Sequence, residues 1–135
     1  MDKRVADVMS TRVISCTPDT PIRRVARRMR ESDVSALIVV DEEGSVVGII
    51  SQTDLVTLRA YEDEWQVLRA EHVMIRSVVT TTPDTLLRDA SAQMIEARVH
   101  RLVVCDPEGT SRRPVGVLSM TDVVREMAGD DDQLE

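Results

Sequence analysis

The fold is decided by residues 34–55, which read VSALIVVDEEGSVVGIISQTDL. Two aliphatic runs, Ala36–Val40 and Val46–Ile50, have the length of buried strands, and Asp41–Gly44 between them has the composition of a turn. Ser51 has the chemistry of a helix N-cap, and Asp54 three residues later completes a capping box. The stretch therefore predicts a β-hairpin that leads directly into a helix.

The pattern occurs a second time at a spacing of 65 residues, which becomes 68 after three extra residues in the second hairpin. The matching positions, with the first copy before the second, are Val8-Met9 and Val73-Met74, Thr17–Thr20 and Thr82–Thr85, Gly48 and Gly116, Ser51 and Ser119, and Asp54 and Asp122. A repeat in register over most of the chain is a stronger signal than any single motif within it. We expect one repeat over residues 1–62, including the start of a linker helix, a second over residues 63–128, and an acidic tail over 129–135.

Each copy also predicts an amphipathic helix between its turn and its hairpin. In the first copy, Thr20 is the predicted N-cap and Pro21 the first helical residue, because proline is favoured there. Apolar residues then recur at helical spacing from Ile22 to Met29, and arginines occupy the other face. That arginine face fits solvent, an acidic protein partner or a dimer contact better than it fits nucleic acid.

The apolar residues between the copies recur at near-helical intervals, which predicts one continuous linker helix from Leu55 to about Ala70. Tyr61 and Trp65 lie in this segment and are the only large aromatic residues of the chain. We expect the linker helix to pack against the first copy or against another subunit. Stacking of Trp65 on a bound base is the alternative.

Composition limits the classes of function. The net charge of −7 argues against general binding to nucleic acid or to an anionic membrane surface. No apolar run reaches the roughly 18 residues that span a bilayer, and the N-terminal residues lack the apolar core of a signal peptide, so a cytoplasmic protein is expected.

Cys16 and Cys105 lie in strand-like runs and are expected to be buried. His72 and His100 show no metal-ligand spacing with them, so no metal site is predicted.

A single copy of about 60 residues buries too little surface to be stable alone. Two copies packed sheet to sheet remove that difficulty. The joint between them is then the expected place for a ligand cleft.

These motifs resemble the cystathionine-β-synthase (CBS) domain family. The resemblance rests on the Val-Met starts, the Thr-Pro-Asp turns, and Gly-Ile-Ile-Ser-Gln-Thr-Asp at 48–54 with its counterpart Gly-Val-Leu-Ser-Met-Thr-Asp at 116–122, and it covers roughly residues 4–127. It implies an α/β (α+β) fold of two βαββα repeats packed sheet to sheet with pseudo-two-fold symmetry, known as a Bateman module. It also implies a non-enzymatic regulatory module that requires no cofactor and binds AMP, ADP or ATP, with S-adenosylmethionine less favoured. Family modules commonly form disc-like homodimers, and an unidentified protein partner stays open.

Within this resemblance, the two Ser-x-x-Asp helix starts are the predicted ligand positions. Ser51 and Ser119 would bring phosphate close to free backbone N–H groups and to the positive end of a helix dipole. Asp54 and Asp122 would accept hydrogen bonds from the hydroxyls of a ribose. The alternative is that both sets are only capping boxes.

The strand starts of the two copies are unequal. Val99-His100-Arg101 resembles a phosphate-binding strand start found in the family, where arginine offers a planar fork for phosphate and histidine a pH-sensitive donor. The resemblance implies that the strand start of one repeat faces the helix start of the other. One predicted site therefore combines Ser51 and Asp54 with Arg76, Val78, His100 and Arg101, and the other combines Ser119 and Asp122 with Thr11, Val13, Ser35 and Ala36. We expect the site with Ser51, His100 and Arg101 to bind charged phosphates better than the site with Ser119.

The adenine is expected among aliphatic side chains, namely Val13, Val34, Val78 and Val99. Gly48 and Gly116 would let a ligand or a neighbouring backbone approach closely.

A second hypothesis is a dimerisation or scaffold module that binds protein and no nucleotide, supported by the arginine-rich helix and by Trp65. An enzyme is not expected, because the sequence has no nucleophile–base pair, no P-loop and no metal cluster. Arg112 and Arg113 of the second hairpin stay open between a surface loop and a phosphate contact.

Overall fold

The computed structural model describes residues 2–109 and 111–129, and within them two three-stranded mixed sheets with their helices. In chain order the elements are α1 (Val5–Val8), β1 (Ser15–Cys16), α2 (Ile22–Ser32), β2 (Ala36–Val40), β3 (Val46–Ser51), α3 (Gln52–Tyr61), a 3₁₀ turn (Trp65–Val67), α4 (Ala70–Val73), β4 (Thr80–Thr81), α5 (Leu87–Ala97), β5 (Arg101–Cys105), β6 (Pro114–Ser119) and α6 (Met120–Ala128). The predicted α/β class and the repeated unit are confirmed.

Each sheet has the aliphatic run of its copy as the central strand. In the first sheet, β2 pairs in parallel with β1 and antiparallel with β3, and β5 does the same with β4 and β6 in the second. The predicted turn of the first hairpin is held by Asp41, whose Oδ1 accepts the N–H of Glu43 at 3.0 Å and the N–H of Ser45 at 2.9 Å. Gly44 completes the turn with a φ of +82°, which glycine adopts without strain.

Helices α2 and α5 bury the apolar stripes that the spacing predicts: Ile22, Val25 and Met29 in α2, and Leu87, Ala90 and Met94 in α5. The predicted start of α2 is wrong by one residue, because Pro21 is the N-cap and the helix begins at Ile22. The hydroxyl of Thr20 accepts the N–H of Thr17 at 3.0 Å inside the preceding turn, so it does not cap the helix.

The predicted continuous linker helix is wrong. Helix α3 ends at Tyr61, the chain passes through the 3₁₀ turn, and α4 begins only at Ala70. Glu62-Asp63-Glu64 follow α3 directly, and carboxylates at the negative end of a helix dipole disfavour continuation of the helix.

The 3₁₀ turn packs against the first copy, as expected for the linker. The guanidinium carbon of Arg23 lies 5.3 Å from the centroid of the Trp65 ring, within the range of a cation–π contact. The carbonyl of Leu68 accepts the N–H of Ile22 at 3.0 Å. These contacts assign Trp65 a packing role at the start of α2.

The contacts divide the chain into two compact units that exchange short segments between the repeats. The first unit contains residues 13–78 with 111–113, and the second contains residues 2–12, 79–109 and 114–129. Each repeat therefore contributes its opening segment to the unit that holds the other repeat's sheet. The sequence boundary between repeats near residue 62 stays a prediction.

The exchanged segments dock in the same way in both units. In the second unit, Val5 and Ala6 donate their N–H groups to the carbonyls of Thr85 and Pro83, both at 2.9 Å. In the first unit, the equivalent donors Ala70 and Glu71 bind the carbonyls of Thr20 and Pro18, both at 2.8 Å. The Thr-Pro-Asp-Thr turns therefore serve as docking points for the short helices α1 and α4.

Each unit has its own aliphatic core, with Leu37, Val39 and Ile50 fully buried in the first and Leu102, Val104 and Leu118 in the second. Cys16 and Cys105 are buried, as expected. Burial raises the pKa of the Cys16 thiol, which keeps it protonated and unreactive.

Candidate functional site

Both candidate helix starts form complete capping boxes. At the first, Asp54 Oδ2 accepts the N–H of Ser51 at 2.8 Å, and Ser51 Oγ accepts the N–H of Asp54 at 3.2 Å. At the second, the same two hydrogen bonds join Ser119 and Asp122 at 2.9 and 3.2 Å. The Ser-x-x-Asp motif therefore has a structural role in both copies, whatever else it does.

The capping boxes limit what the helix starts offer to a phosphate. The N–H of Gln52 donates to the carbonyl of Ser35 at 2.9 Å, and the N–H of Asp54 is used by Ser51. The second copy is equivalent, since Met120 donates to the carbonyl of His100 at 3.0 Å. The expectation of several free N–H groups is therefore wrong for the first and third residues of each helix, because the strand start and the cap already bind them.

The two aspartates differ at the carboxylate oxygen that takes no part in the cap. Asp122 Oδ1 lies 3.3 Å from Nη1 of Arg125, one helical turn further along α6. At the equivalent position of α3 stands Thr57, whose hydroxyl donates to the carbonyl of Thr53 at 2.8 Å. The two helix starts are thus geometrically alike and electrostatically unlike.

Strand pairing brings part of each predicted set together within its own unit. Ala36 pairs with Ser51 across β2 and β3, and Arg101 pairs with Ser119 across β5 and β6. Residues directly opposite in an antiparallel pair lie on the same face of the sheet, with their Cα atoms about 4.5–5.5 Å apart. Within the second unit, Arg101 therefore lies beside the helix start. The predicted grouping of Arg101 and His100 with Ser51 and Asp54 stays a prediction.

The remaining predicted residues are distributed over both units. In the first unit, Val13, Val34 and Val78 are half-buried, and Ser35 and Arg76 are exposed. In the second unit, Val99 is half-buried against the core, and Thr11 and His100 are exposed. These exposures suit residues that would contact a ligand, and they also suit ordinary surface positions.

Arg112 is the residue left open above between a surface loop and a phosphate contact. It lies in the first unit, where its N–H donates to Ser45 Oγ at 2.9 Å and its carbonyl accepts the N–H of Val46 at 2.9 Å. Its guanidinium donates to the carbonyl of Val78 at 3.3 Å. Arg112 of the second hairpin therefore pairs with the first hairpin through Ser45 and Val46.

The two glycines that precede the helix starts are covered by protein side chains. A Cβ placed on Gly48 would lie 2.6 Å from Sδ of Met74, and one placed on Gly116 would lie 2.7 Å from Sδ of Met9. The close approach that the sequence predicts is therefore made by the methionines of the exchanged segments.

Open grooves lie along the helices of each unit. In the first unit, a groove of about 760 Å³ runs between α2 and α3 and is lined by Val34 and Ser35, but not by Ser51 or Asp54. An apolar groove of about 230 Å³ lies in the same unit beside Trp65. In the second unit, a groove of about 420 Å³ lies between α5 and α6.

Within residues 2–109 and 111–129, no cluster of three His, Cys, Asp or Glu side chains could hold a metal ion. No helix in that part of the chain is long and apolar enough to cross a membrane.

The repeated unit and its paired motifs agree with a family model. The model described as "CBS domain" matches residues 5–61 and again residues 70–129. The chain belongs to the CBS domain family. Its two matches make it a CBS pair.

Relatives of this CBS pair differ widely in length. The inosine-5′-monophosphate dehydrogenase of Methanocaldococcus jannaschii is 30% identical over 123 residues, which are 91% of this chain but only 23% of the dehydrogenase. The CBS domain-containing protein YhcV of Bacillus subtilis is 27% identical over 119 residues, which are 88% of this chain and 81% of YhcV. This chain therefore spans less than a quarter of the enzyme and most of YhcV.

Two similar solved structures contain adenosine derivatives. The CBS domain pair of protein MJ0100, in complex with 5′-methylthioadenosine and S-adenosyl-L-methionine, has a TM-score of 0.86 and 26% identity, and the match covers 96% of this chain and 98% of that one. CBSX2 in complex with AMP has a TM-score of 0.78 and 25% identity, with 93% and 96% covered. Structural relatives of this CBS pair thus bind AMP or sulfur-containing adenosine derivatives.

Proposed function

We propose that this CBS pair is a non-enzymatic regulatory module that binds an adenosine-containing ligand, with AMP, ADP or ATP favoured over S-adenosylmethionine. Asp54 and Asp122 accept hydrogen bonds from the ribose hydroxyls, and Arg101, His100 and Arg76 contribute to phosphate binding. A ligand that binds two conformations with different affinity shifts the population between them, which is how such a module regulates a partner.

The proposal is carried by one observation, the capped Ser-x-x-Asp helix start that recurs with the same hydrogen bonds in both units. In each copy the cap uses Oδ2 of the aspartate, so Oδ1 is the oxygen that we expect to accept a ribose hydroxyl, although at Asp122 Oδ1 also contacts Arg125. The adenosine derivatives bound by the similar CBS pairs support the same ligand class.

Calorimetric titration with AMP and ATP tests the proposal. We expect saturable binding on the order of micromolar, which corresponds to about −8 kcal/mol. Asp54→Ala should weaken it, but that variant also removes the capping box, so a loss of binding alone does not assign the role. Asp54→Asn separates the two roles, because the amide oxygen can still accept the N–H of Ser51 while the amide nitrogen cannot accept a ribose hydroxyl.

We expect the double variant Asp54→Asn, Asp122→Asn to bind AMP about 10- to 100-fold more weakly, since a hydrogen bond to a charged group is worth about 1.5–3 kcal/mol. Asp89→Asn is the matched control, because Asp89 is an exposed carboxylate in the first turn of α5. Thermal unfolding should show that the asparagine variants keep the fold. Absence of heat and of a thermal shift with AMP, ATP and S-adenosylmethionine would remove the proposal.

A protein-interaction module is the second candidate, and exposed apolar side chains favour it. Val56, Tyr61 and Val67 of the first unit have 68%, 88% and 70% of their surface exposed. They lie on segments next to the arginine-rich helix α2, which suits an acidic partner or a second copy of the chain. Light scattering and partner binding that are unchanged in the Asp54→Ala, Asp122→Ala variant, together with no nucleotide binding in the unmodified protein, would favour this candidate.

A further inference from the structure

The ion pair between Arg125 and Asp122 changes what the second helix start can accept. The capping box occupies Oδ2 of Asp122, and Arg125 lies 3.3 Å from Oδ1, so both carboxylate oxygens have a protein partner. The Asp122 side chain is only 12% exposed, which leaves little room for a further donor. A ribose hydroxyl must therefore share Oδ1 with the guanidinium or displace it.

The first helix start has no such competitor in its own helix. Thr57 occupies the position equivalent to Arg125, and its hydroxyl donates to the carbonyl of Thr53. The residue at this position of α3 therefore makes no ion pair with Oδ1 of Asp54. The chain thus contains a natural matched pair, in which two equal caps differ by one residue one turn into the helix.

We propose that Arg125 is a specificity-determining residue that weakens ribose binding at Asp122 relative to Asp54, so that the first helix start binds adenosine derivatives first. This inference rests on the proposed function, because it assumes that the aspartates accept ribose hydroxyls. The two helix starts then respond to different ligand concentrations.

The size of the effect follows from the exposure of the ion pair. The Arg125 side chain is 73% exposed, and an exposed pair one helical turn apart changes an equilibrium constant by about 1.5- to 5-fold. Salt screens such a pair. Arg125 therefore adjusts the relative affinity and does not block the second site, and its effect should shrink as the salt concentration rises.

The test is a titration with adenosine in which protein NMR monitors the backbone amide signals of Thr53 and Thr121. Adenosine carries no phosphate, so attraction between arginine and phosphate does not enter. The two amides lie at equivalent positions of α3 and α6 and report the two helix starts separately. We expect Arg125→Thr to tighten binding reported by Thr121 about 2- to 5-fold and to leave the Thr53 response unchanged.

The reciprocal variant Thr57→Arg should weaken binding reported by Thr53 by a similar factor, and Arg125→Lys should behave like the unmodified protein because it keeps the charge. Raising the salt concentration should tighten the Thr121 response in the unmodified protein and have no such effect in Arg125→Thr. A structural role of Arg125 in α6 would not produce this salt dependence.

Two failures are distinguishable. Adenosine binding that is unaffected by both exchanges would overturn the role of Arg125 and leave the proposed function standing. No response of either amide, in the unmodified protein or in Arg125→Thr, would overturn ribose binding at the aspartates and the inference together.

Discussion

At the scale of single residues, Gly48 and Gly116 leave no room for a Cβ atom beside the exchanged methionines. Gly48 lies under Met74, and Gly116 lies under Met9 and beside the carbonyl of Ser10, 2.8 Å from where a Cβ would stand. A methionine side chain can move, because it has three rotatable bonds. The Ser10 backbone cannot, because it exchanges two hydrogen bonds of 2.9 Å with Val117.

We therefore expect Gly116→Ala to destabilise the protein by about 2–3 kcal/mol and Gly48→Ala by about 1–2 kcal/mol, within the range for overpacking. The second value is smaller because the Met74 side chain can rearrange around the added methyl group. Urea unfolding of the two variants measures both. Equal losses, or a larger loss for Gly48→Ala, would show that the Ser10 backbone is not the limiting contact.

Sequence reasoning at this scale found the residues but assigned only part of their roles. The Ser-x-x-Asp caps are confirmed because a capping box depends on residues three apart in the chain. The glycines were expected to let a ligand or a neighbouring backbone approach; the Ser10 backbone does so at Gly116, whereas the Met74 side chain does so at Gly48. The approaching groups, Met9 and Met74, could not be derived, because they come from the exchanged segments of the fold.

At the scale of elements, the short helices α1 and α4 occupy equivalent places but are held by different chemistry. In α1, Asp7 accepts the N–H of Arg4 at 2.8 Å. In α4, His72 accepts the N–H of Arg69 through Nδ1 at 2.9 Å. Hydrogen bonds to a carboxylate are stronger than those to a ring nitrogen because the carboxylate is charged, so His72 makes the weaker form of the same cap.

His72→Ala should destabilise the protein by about 0.5–1 kcal/mol, the size of a lost cap. His72→Asp should restore or exceed the original stability, because aspartate performs this role in α1 and its charge is favourable at a helix start. Denaturant unfolding at neutral pH gives both values. Comparable losses in the two variants would mean that the N–H of Arg69 does not depend on this acceptor.

Element prediction succeeded for the amphipathic helices α2 and α5 and failed for the linker. The stripes of α2 and α5, from Ile22 to Met29 and from Leu87 to Met94, each cover about two turns, and both helices are present. The segment from Tyr61 to Ala70 has apolar residues at near-helical spacing as well, yet their packing over Ile22 and Arg23 requires a turn. Near-helical spacing alone therefore does not distinguish a helix from a turn that packs on one.

At the scale of the whole molecule, each compact unit is assembled from both repeats. The core of the first unit includes Ala70 and Met74, which are 0% and 8% exposed and come from the start of the second repeat. The core of the second unit includes Val5, which is 0% exposed and comes from the start of the first repeat. The repeat in the sequence and the unit in space therefore do not have the same boundaries.

A fragment of residues 13–78 should consequently fold better than a fragment of residues 1–62, although the two are of similar length. The first contains nearly all of one core, whereas the second lacks Ala70 and Met74 and leaves Val5 without its partners. Units of this size are marginal, so small differences in burial decide their stability. Circular dichroism and thermal melting compare the two, and a more cooperative melt for residues 1–62 would contradict this division.

The exchange of segments could not be derived from the sequence. The repeat spacing showed that Val8-Met9 and Val73-Met74 are equivalent, but equivalence does not reveal which copy each one packs against. That choice depends on the path of the chain between the sheets, which leaves no periodic signal.

The same exchange has a consequence for synthesis on the ribosome. Residues 13–78 form a nearly complete unit that is synthesised before residue 79 is added, and domains generally fold as such units become available. Residues 2–12 emerge earlier still, but the strand that receives Ser10 is finished only at Ser119. Residues 2–12 therefore wait for residues 114–119 before they can dock, and Val5 stays accessible to chaperones until Leu118 has been translated.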